Sequence, residues 1–156
     1  MPFKWYTTVA LPILGSSSLK TILNEAVLHF PIDCCDRSEV EQVFKKFSIK
    51  GIIHFAAYKS VDESIDKPLK YYRNNLTSLV NILELANNYK VENIIFSSSC
   101  TVYGEPKGEI VVDENSPIQE ATSAYGQTKI IGEKILRDFQ KANTDVKITA
   151  LRYFNP

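Results

Sequence analysis

The chain lacks any excess of charge. Lys plus Arg number 18 and Asp plus Glu number 18, for a formal net charge of zero, and the isoelectric point is near 6.7. That balance leaves no electrostatic footprint for nucleic acid or an anionic membrane, so neither is expected as a partner. The chain also lacks the cysteines of a disulfide scaffold, having only Cys34, Cys35 and Cys100. Sequence neighbours are poorly placed to bridge each other, so reduced thiols in a cytoplasmic chain are expected. No apolar run approaches the ~18 residues of a membrane span. The opening MPFKWYTTVALPILGSSS has the lysine, the apolar stretch and the small residues of a secretory signal, but Thr7, Thr8 and Pro12 interrupt it. There is no internal repeat and no low-complexity segment. Glycines stand at 15, 51, 104, 108, 126 and 132. No G-x-x-G-x-x-G turn, whose backbone would hold a pyrophosphate at a helix start, can be built from them.

What is present is a regular alternation. With 156 residues, 44% apolar and 23% charged, the chain is long enough for one domain with a real core. AVLHF, up to Phe30, reads as a strand. Asp36 and Glu39 form a capping box for a helix whose apolar face is Val40, Val43, Phe44 and Phe47. GIIHFAA (51–57) is a buried strand. Pro68 suits the first position of a long helix, with Leu69, Tyr72, Leu76, Leu79, Leu83 and Ala86 on one stripe. NIIFSSS (93–99) is the next strand. Ser123 can cap a helix that buries Ile130, Ile131, Ile135, Leu136 and Phe139. KITALRYF (147–154) is the last strand. Continuous apolar strands alternating with helices mean an α/β fold, a parallel sheet with helices on both faces. The sequon at Asn75-Leu76-Thr77 falls inside a helix and is discounted. Residues 1–26 fit the alternation poorly; WYTTVAL reads as a strand and SSSLKTILNEA as a helix only weakly.

In open parallel sheets ligands bind beyond the carboxyl ends of the strands. The polar residues at those ends are Asp33 and Cys34, then Lys59, then Ser97, Ser98 and Ser99, then Asn155. A strand-ending serine alone commonly just caps a turn. Tyr125 and Lys129 alter that weighing, because a spacing of four puts both on one helical face. A free tyrosine titrates near pH ~10, and a nearby ammonium would stabilise its phenolate. Ser99 could orient the substrate oxygen whose proton is taken. Tyr-x-x-x-Lys alone is a weak signal; preceded by a strand ending in three serines it is much stronger.

The stretches IDCCDRSEVEQVF, IIHFAAYKSVDESIDKPLKYYRNN, VENIIFSSSCTVYGEP, SAYGQTKIIGEKIL and LRYFNP resemble, in order, the UDP-glucose (UDP-galactose) 4-epimerases of the extended short-chain dehydrogenase/reductase family. The resemblance implies a partial Rossmann-like, doubly wound parallel sheet and NAD as cofactor. Tyr125 would take the proton of the sugar 4-hydroxyl while hydride passes to NAD, Ser99 would hydrogen-bond that hydroxyl, and Lys129 would hold the nicotinamide ribose and lower the tyrosine pKa. The 4-keto sugar would turn over and receive hydride on its other face. Asp33 and Cys34 match positions near adenine. Phe55, Ala56 and Lys59 match the loop lining the cofactor, and Asn74 a further cofactor contact. Tyr153 and Phe154 match positions beside the nicotinamide, and Asn155 a contact to the nucleotide sugar, here a UDP-sugar. Helices 68–89 and 123–143 match those that pair in the family's homodimer.

The departures from that pattern are specific. Ala57, Tyr58, Ser60 and Asp62 replace Gly, Leu, Ala and Gly in the family's loop, Cys100 replaces Ala, and Ala124 replaces Pro. The Ala for Gly matters only if the backbone there needs positive φ. The glycine-rich turn and the acidic partner of the adenosine ribose are not identifiable, and the chain stops where the substrate-binding segment would begin. The expectation is a fragment: a divergent segment 1–26 and an incomplete dinucleotide-binding domain 27–156. Such a chain is expected not to turn over alone and to be of low stability. A related nucleotide-sugar 4,6-dehydratase is disfavoured, because Cys100-Thr101-Val102 offers no carboxylate after Ser99. The alternative of another class is a non-catalytic module that dimerises; a dimer that binds no NAD would favour it.

Overall fold

The computed structural model describes residues 28, 30–105 and 111–154. Helix α1 (Arg37–Lys46) leads to β1 (Gly51–His54), then the short α2 (Val61–Asp66) and the long α3 (Pro68–Asn88). Strand β2 (Asn93–Ser99) runs into a single 3-10 turn (Cys100–Tyr103), followed by α4 (Ala124–Ala142) and β3 (Lys147–Tyr153). The strands form one parallel sheet in the order β1-β2-β3. His54 pairs with Phe96, and Ser99 with Tyr153, so the polar strand ends come out at one edge. The architecture is Rossmann-like, as the alternation requires. AVLHF is the exception. Leu28 and Phe30 lie in no strand, and the rest of that stretch, with the other expectations for 1–26, lies outside the described residues. Pro31 removes a ladder donor there, and Ile32 N turns back to donate to the Phe30 carbonyl at 3.0 Å.

Local signals start and stop the helices. The Asp36 carboxylate accepts from the backbone N–H of Ser38 and Glu39. The expected capping box closes differently: Glu39 reaches Asp33 N at 3.0 Å, because Asp36 N is already bonded to the Asp33 carbonyl at 2.9 Å. Pro68 stands at the start of α3 and the Ser123 hydroxyl caps α4. Ser60 caps α2, a helix the apolar pattern does not announce.

The core gathers Val40, Phe44, Ile52, Leu79, Ile82, Leu85, Ile94, Phe96 and Leu136 between α1, α3, α4 and the sheet. Burying side chains of this kind contributes roughly 1.5–3 kcal/mol each. Glycine at 132 lets α4 approach closely: a Cβ there would lie 2.9 Å from Phe96 Cζ and 3.4 Å from Leu79 Cδ2. Two expected helix faces hold in part. In α3, Leu79, Leu83 and Ala86 are buried as expected, but Tyr71, Asn75, Ser78 and Ile82 join them while Leu69 is 76% exposed. In α4, Leu136 is buried and Ile135 and Phe139 pack on the core, whereas Ile130 and Ile131 are half-buried and Thr128, Lys129, Gly132 and Glu133 also face inward. Polar ties to the loops and the sheet add to the apolar contacts on both faces. Asn75 is buried in this helix, which agrees with discounting its sequon.

Candidate active site

Strand β2 ends in Ser97, Ser98 and Ser99, and the three serines face different partners. Ser97 offers its carbonyl to Lys129 Nζ at 2.6 Å. Ser98 Oγ donates to Glu133 Oε1 at 2.7 Å. Ser99 Oγ accepts from Thr101 N at 3.3 Å, capping the turn, and its hydroxyl favours ionisation of the Tyr125 phenol. Tyr125 is half-buried on the first turn of α4, where its own N–H donates to Ser64 Oγ of α2 at 3.1 Å. Close approach at this turn needs Gly126, since a Cβ there would lie 2.8 Å from Ala121 Cβ and 3.3 Å from Thr101 Oγ1. That Thr101 hydroxyl is the one buried side-chain polar atom without a hydrogen-bond partner among the described residues.

Lys129 sits one turn deeper, buried. Its ammonium lies 4.9 Å from the Phe96 ring centroid and 5.7 Å from that of Tyr125. Burial pulls its pKa down to about 8. His54 stacks on Phe96 with ring centroids 6.1 Å apart. Burial first, and Lys129 second, push that imidazole down to about 4, so it is neutral. Tyr125 does not show the expected depression. Burial raises its pKa above the ordinary value, the Ser99 hydroxyl opposes this, and Cys100 adds to the rise. The reason is geometric: the ammonium is committed to a backbone carbonyl beneath the ring, not to the phenolic oxygen.

The other sequence-selected residues fall into two groups. Phe55 and Tyr153 extend from β1 and β3 on either side of the β2 end, with ring centroids 6.4 Å apart. Phe154 stacks on Tyr103 at 6.1 Å. Phe55, Tyr153 and Phe154 are all exposed, forming an open aromatic ledge beside Ser99. Ala56 is buried and Lys59 exposed in the same loop. The second group lies along α3. Asp33 is exposed at the head of α1. Cys34 is buried and its thiol is pushed up to about 11 by burial, then by Asp33 and Cys35. Cys35 Sγ lies 3.4 Å from the Asn74 carbonyl. Asn155 lies outside the described residues. Ala57 is not at positive φ; among the described residues only Lys90 and Gly104 are. Its replacement of glycine is therefore accommodated.

Several supporting residues escaped the sequence reading. Asn75 accepts from Tyr58 N at 2.8 Å and donates to the Tyr58 carbonyl and Thr128 Oγ1, each at 3.1 Å. Thr128 Oγ1 donates to the Tyr125 carbonyl at 2.7 Å. The loop after β1 is thus tied to the turn carrying Tyr125. Ser98, Glu133 and Arg152 form a second buried network. Glu133 is the one with a readable signal, a charge four residues after Lys129 on the same helical face.

An aromatic ledge, a buried lysine and a tyrosine–serine pair at the carboxyl edge of a parallel sheet define an α/β protein with a candidate ligand site at that edge. The model of the NAD dependent epimerase/dehydratase family matches residues 10–156, and the chain belongs to that family. It is 46% identical over 125 residues to the UDP-glucose 4-epimerase of Caenorhabditis elegans, covering 80% of this chain and 36% of that protein. To the UDP-glucose 4-epimerase of Bacillus subtilis it is 43% identical over 162 residues, covering 97% of this chain and 46% of that one. Among solved structures, the UDP-glucose 4-epimerase of Bifidobacterium longum in complex with NAD+ and UDP superimposes with a TM-score of 0.87 at 40% identity. That match covers 94% of this chain and 43% of that one. The chain therefore spans less than half the length of these relatives.

Proposed function

We propose that this chain carries the catalytic constellation of an NAD-dependent epimerase acting at C4 of UDP-glucose and UDP-galactose. The observation that carries the reading is the gathering of Ser99, at the end of β2, and Tyr125, on the first turn of α4, with the Lys129 ammonium 5.7 Å from the tyrosine ring. Bound NAD supplies reversible acceptance and return of the C4 hydride. Lys129 would hold its ribose, Asn74, Ala56 and Lys59 its flank, Asp33 and Cys34 its adenine end, and Phe55, Tyr153 and Phe154 its nicotinamide end. The open ledge of Phe55, Tyr153 and Phe154 fits a flat ring there.

In this reading Ser99 orients the sugar 4-hydroxyl and Tyr125, as phenolate, takes its proton. The 4-keto sugar then turns over in the site, and Tyr125 returns the proton to O4 of the epimer. Asn155 would contact the nucleotide sugar. Burial raises the phenol pKa, so a positive charge bound beside Tyr125 would favour its ionisation. A dehydratase needs a carboxyl acid beside the serine, and Cys100, Thr101 and Val102 supply none. We place the protein in the cytoplasm, in keeping with three free cysteines, and pair it as a homodimer through helices 68–89 and 123–143. Exposed Leu69 and Val80 on α3 support that face.

The test is a chimera in which residues 33–156 replace the matching stretch of the Bacillus subtilis relative. It is expected to convert UDP-galactose to UDP-glucose. A folded chimera that binds NAD yet shows no conversion contradicts the reading.

A further inference from the structure

Directly behind Ser99 and Tyr125 lies a buried charge pair that the base, its lysine and the serine do not account for. Glu133 follows Lys129 by one turn of α4, and its side chain is 5% exposed. Oε1 accepts from Ser98 Oγ at 2.7 Å and Arg152 Nε at 2.9 Å, and Oε2 accepts from Arg152 Nη2 at 2.9 Å. Arg137 approaches Oε2 from solvent at 3.7 Å. The free fork of Arg152, Nη1, donates to Tyr103 Oη at 2.8 Å and reaches the Glu114 carbonyl at 3.5 Å. The guanidinium also lies 5.0 Å from the Tyr103 ring centroid.

Ser98 immediately precedes Ser99, and Tyr103 closes the 3-10 turn that Ser99 caps. One bidentate ion pair therefore clamps the segment 99–103 at both ends. It fastens that segment to α4, which carries Tyr125, and to β3, which runs into Tyr153 and Phe154. We infer that Glu133 and Arg152 are positioning residues that set Ser99 against Tyr125 and hold the Tyr103–Phe154 stack beside them. Neither residue touches the phenol. The purpose of the alignment rests on the epimerase reading; the alignment itself is a property of the folded chain.

A purely stabilising role explains the pair poorly. Taking two charges out of water costs several kcal/mol per ion, and replacing a buried pair by apolar groups of similar volume is often neutral or stabilising. What such a pair supplies, with its directional forks, is fixed geometry. Burial opposes ionisation of Glu133, but Arg152 and Ser98 outweigh it and hold the carboxyl below its ordinary value. The pair is thus charged at neutral pH.

The test follows the Tyr125 phenol by NMR titration of tyrosine-labelled full chain, with Tyr125→Phe for assignment and Ser99→Ala as the reference for loss of the Ser99 hydroxyl. Ser98→Ala and Glu133→Gln are each expected to shift the Tyr125 titration upward, toward that of Ser99→Ala, in a chain that still unfolds cooperatively. Removing the Glu133 charge by itself would move a phenol downward, so an upward shift reports displacement. An unmoved or lowered Tyr125 titration in folded variants overturns the inference. Should Glu133→Gln fail to fold, Ser98→Ala, which leaves the ion pair intact, carries the test. No turnover is read, so failure of the epimerase reading and failure of this one are separable.

Discussion

Lys129 shows how far this site departs from a stable core. Its ammonium is buried on a single carbonyl, and its pKa falls from 10.5 to about 8. The folded-state value is depressed, so the unfolded chain binds the proton more tightly. The penalty is complete below pH ~8 and disappears as pH rises to ~10.5. Lys129→Met is therefore expected to raise the unfolding free energy at pH 7, by up to roughly 3 kcal/mol before the lost Ser97 bond is subtracted. Urea denaturation at pH 7 and 10 checks this; a destabilised variant at both would contradict it. His54 gives a second window with the same sign. Its folded value of about 4 lies below the ordinary 6.5, so its contribution is present above pH ~6.5 and lost as pH falls toward ~4. His54→Phe should flatten stability over that interval. At this scale Tyr125, Lys129 and Ser99 were legible because spacing on one helix and the end of one strand suffice to place them. The pairing of Glu133 with Arg152 was not, because 19 residues separate the partners and only the closed sheet brings them together.

Helix α4 is the element on which the site depends. It enters under the Ser123 cap, presents Tyr125, Lys129 and Glu133 to the sheet, and is seated by Gly132 against Phe96. Phe96 is buried and packed against both Lys129 and His54, which leaves it little room to yield. Gly132→Ala is expected to overpack this contact and cost about 1–3 kcal/mol, read as a lowered urea midpoint at unchanged slope. A neutral or stabilising effect would mean that the helix shifts freely on the sheet. The limits of α3 and α4 were readable from Pro68 and Ser123 to within a residue. Their inward faces were readable in part: Leu79, Leu83, Ala86 and Leu136 are buried as expected, and the polar members were not foreseen. Apolar periodicity assigns a face by content, whereas Asn75 and Glu133 turn inward because the Tyr58 backbone and Arg152 wait there as partners.

For the whole molecule, the alternation of apolar blocks and helices was enough to read a parallel sheet, and three of the four strands from residue 27 onward appear where that pattern puts them. Among the described residues β1 and β3 are the edges. On the face away from α4, Leu151 and Tyr153 of β3 are 39% and 44% exposed. Exposed apolar edges invite association. The expectation of low stability therefore stands on the described sheet: a thermal midpoint below ~60 °C that drops further with protein concentration. A cooperative transition above ~60 °C, the upper mesophile range, would contradict it.

The central claim, that Tyr125 is the base and Lys129 its partner in C4 epimerisation, is tested most directly in the chimera bearing residues 33–156. The conversion rate of UDP-galactose is measured for the parent and for Tyr125→Phe at saturating NAD. Loss of general-base catalysis predicts a fall of about 10²–10⁴-fold with cooperative unfolding retained. Equal rates in parent and variant would contradict the account.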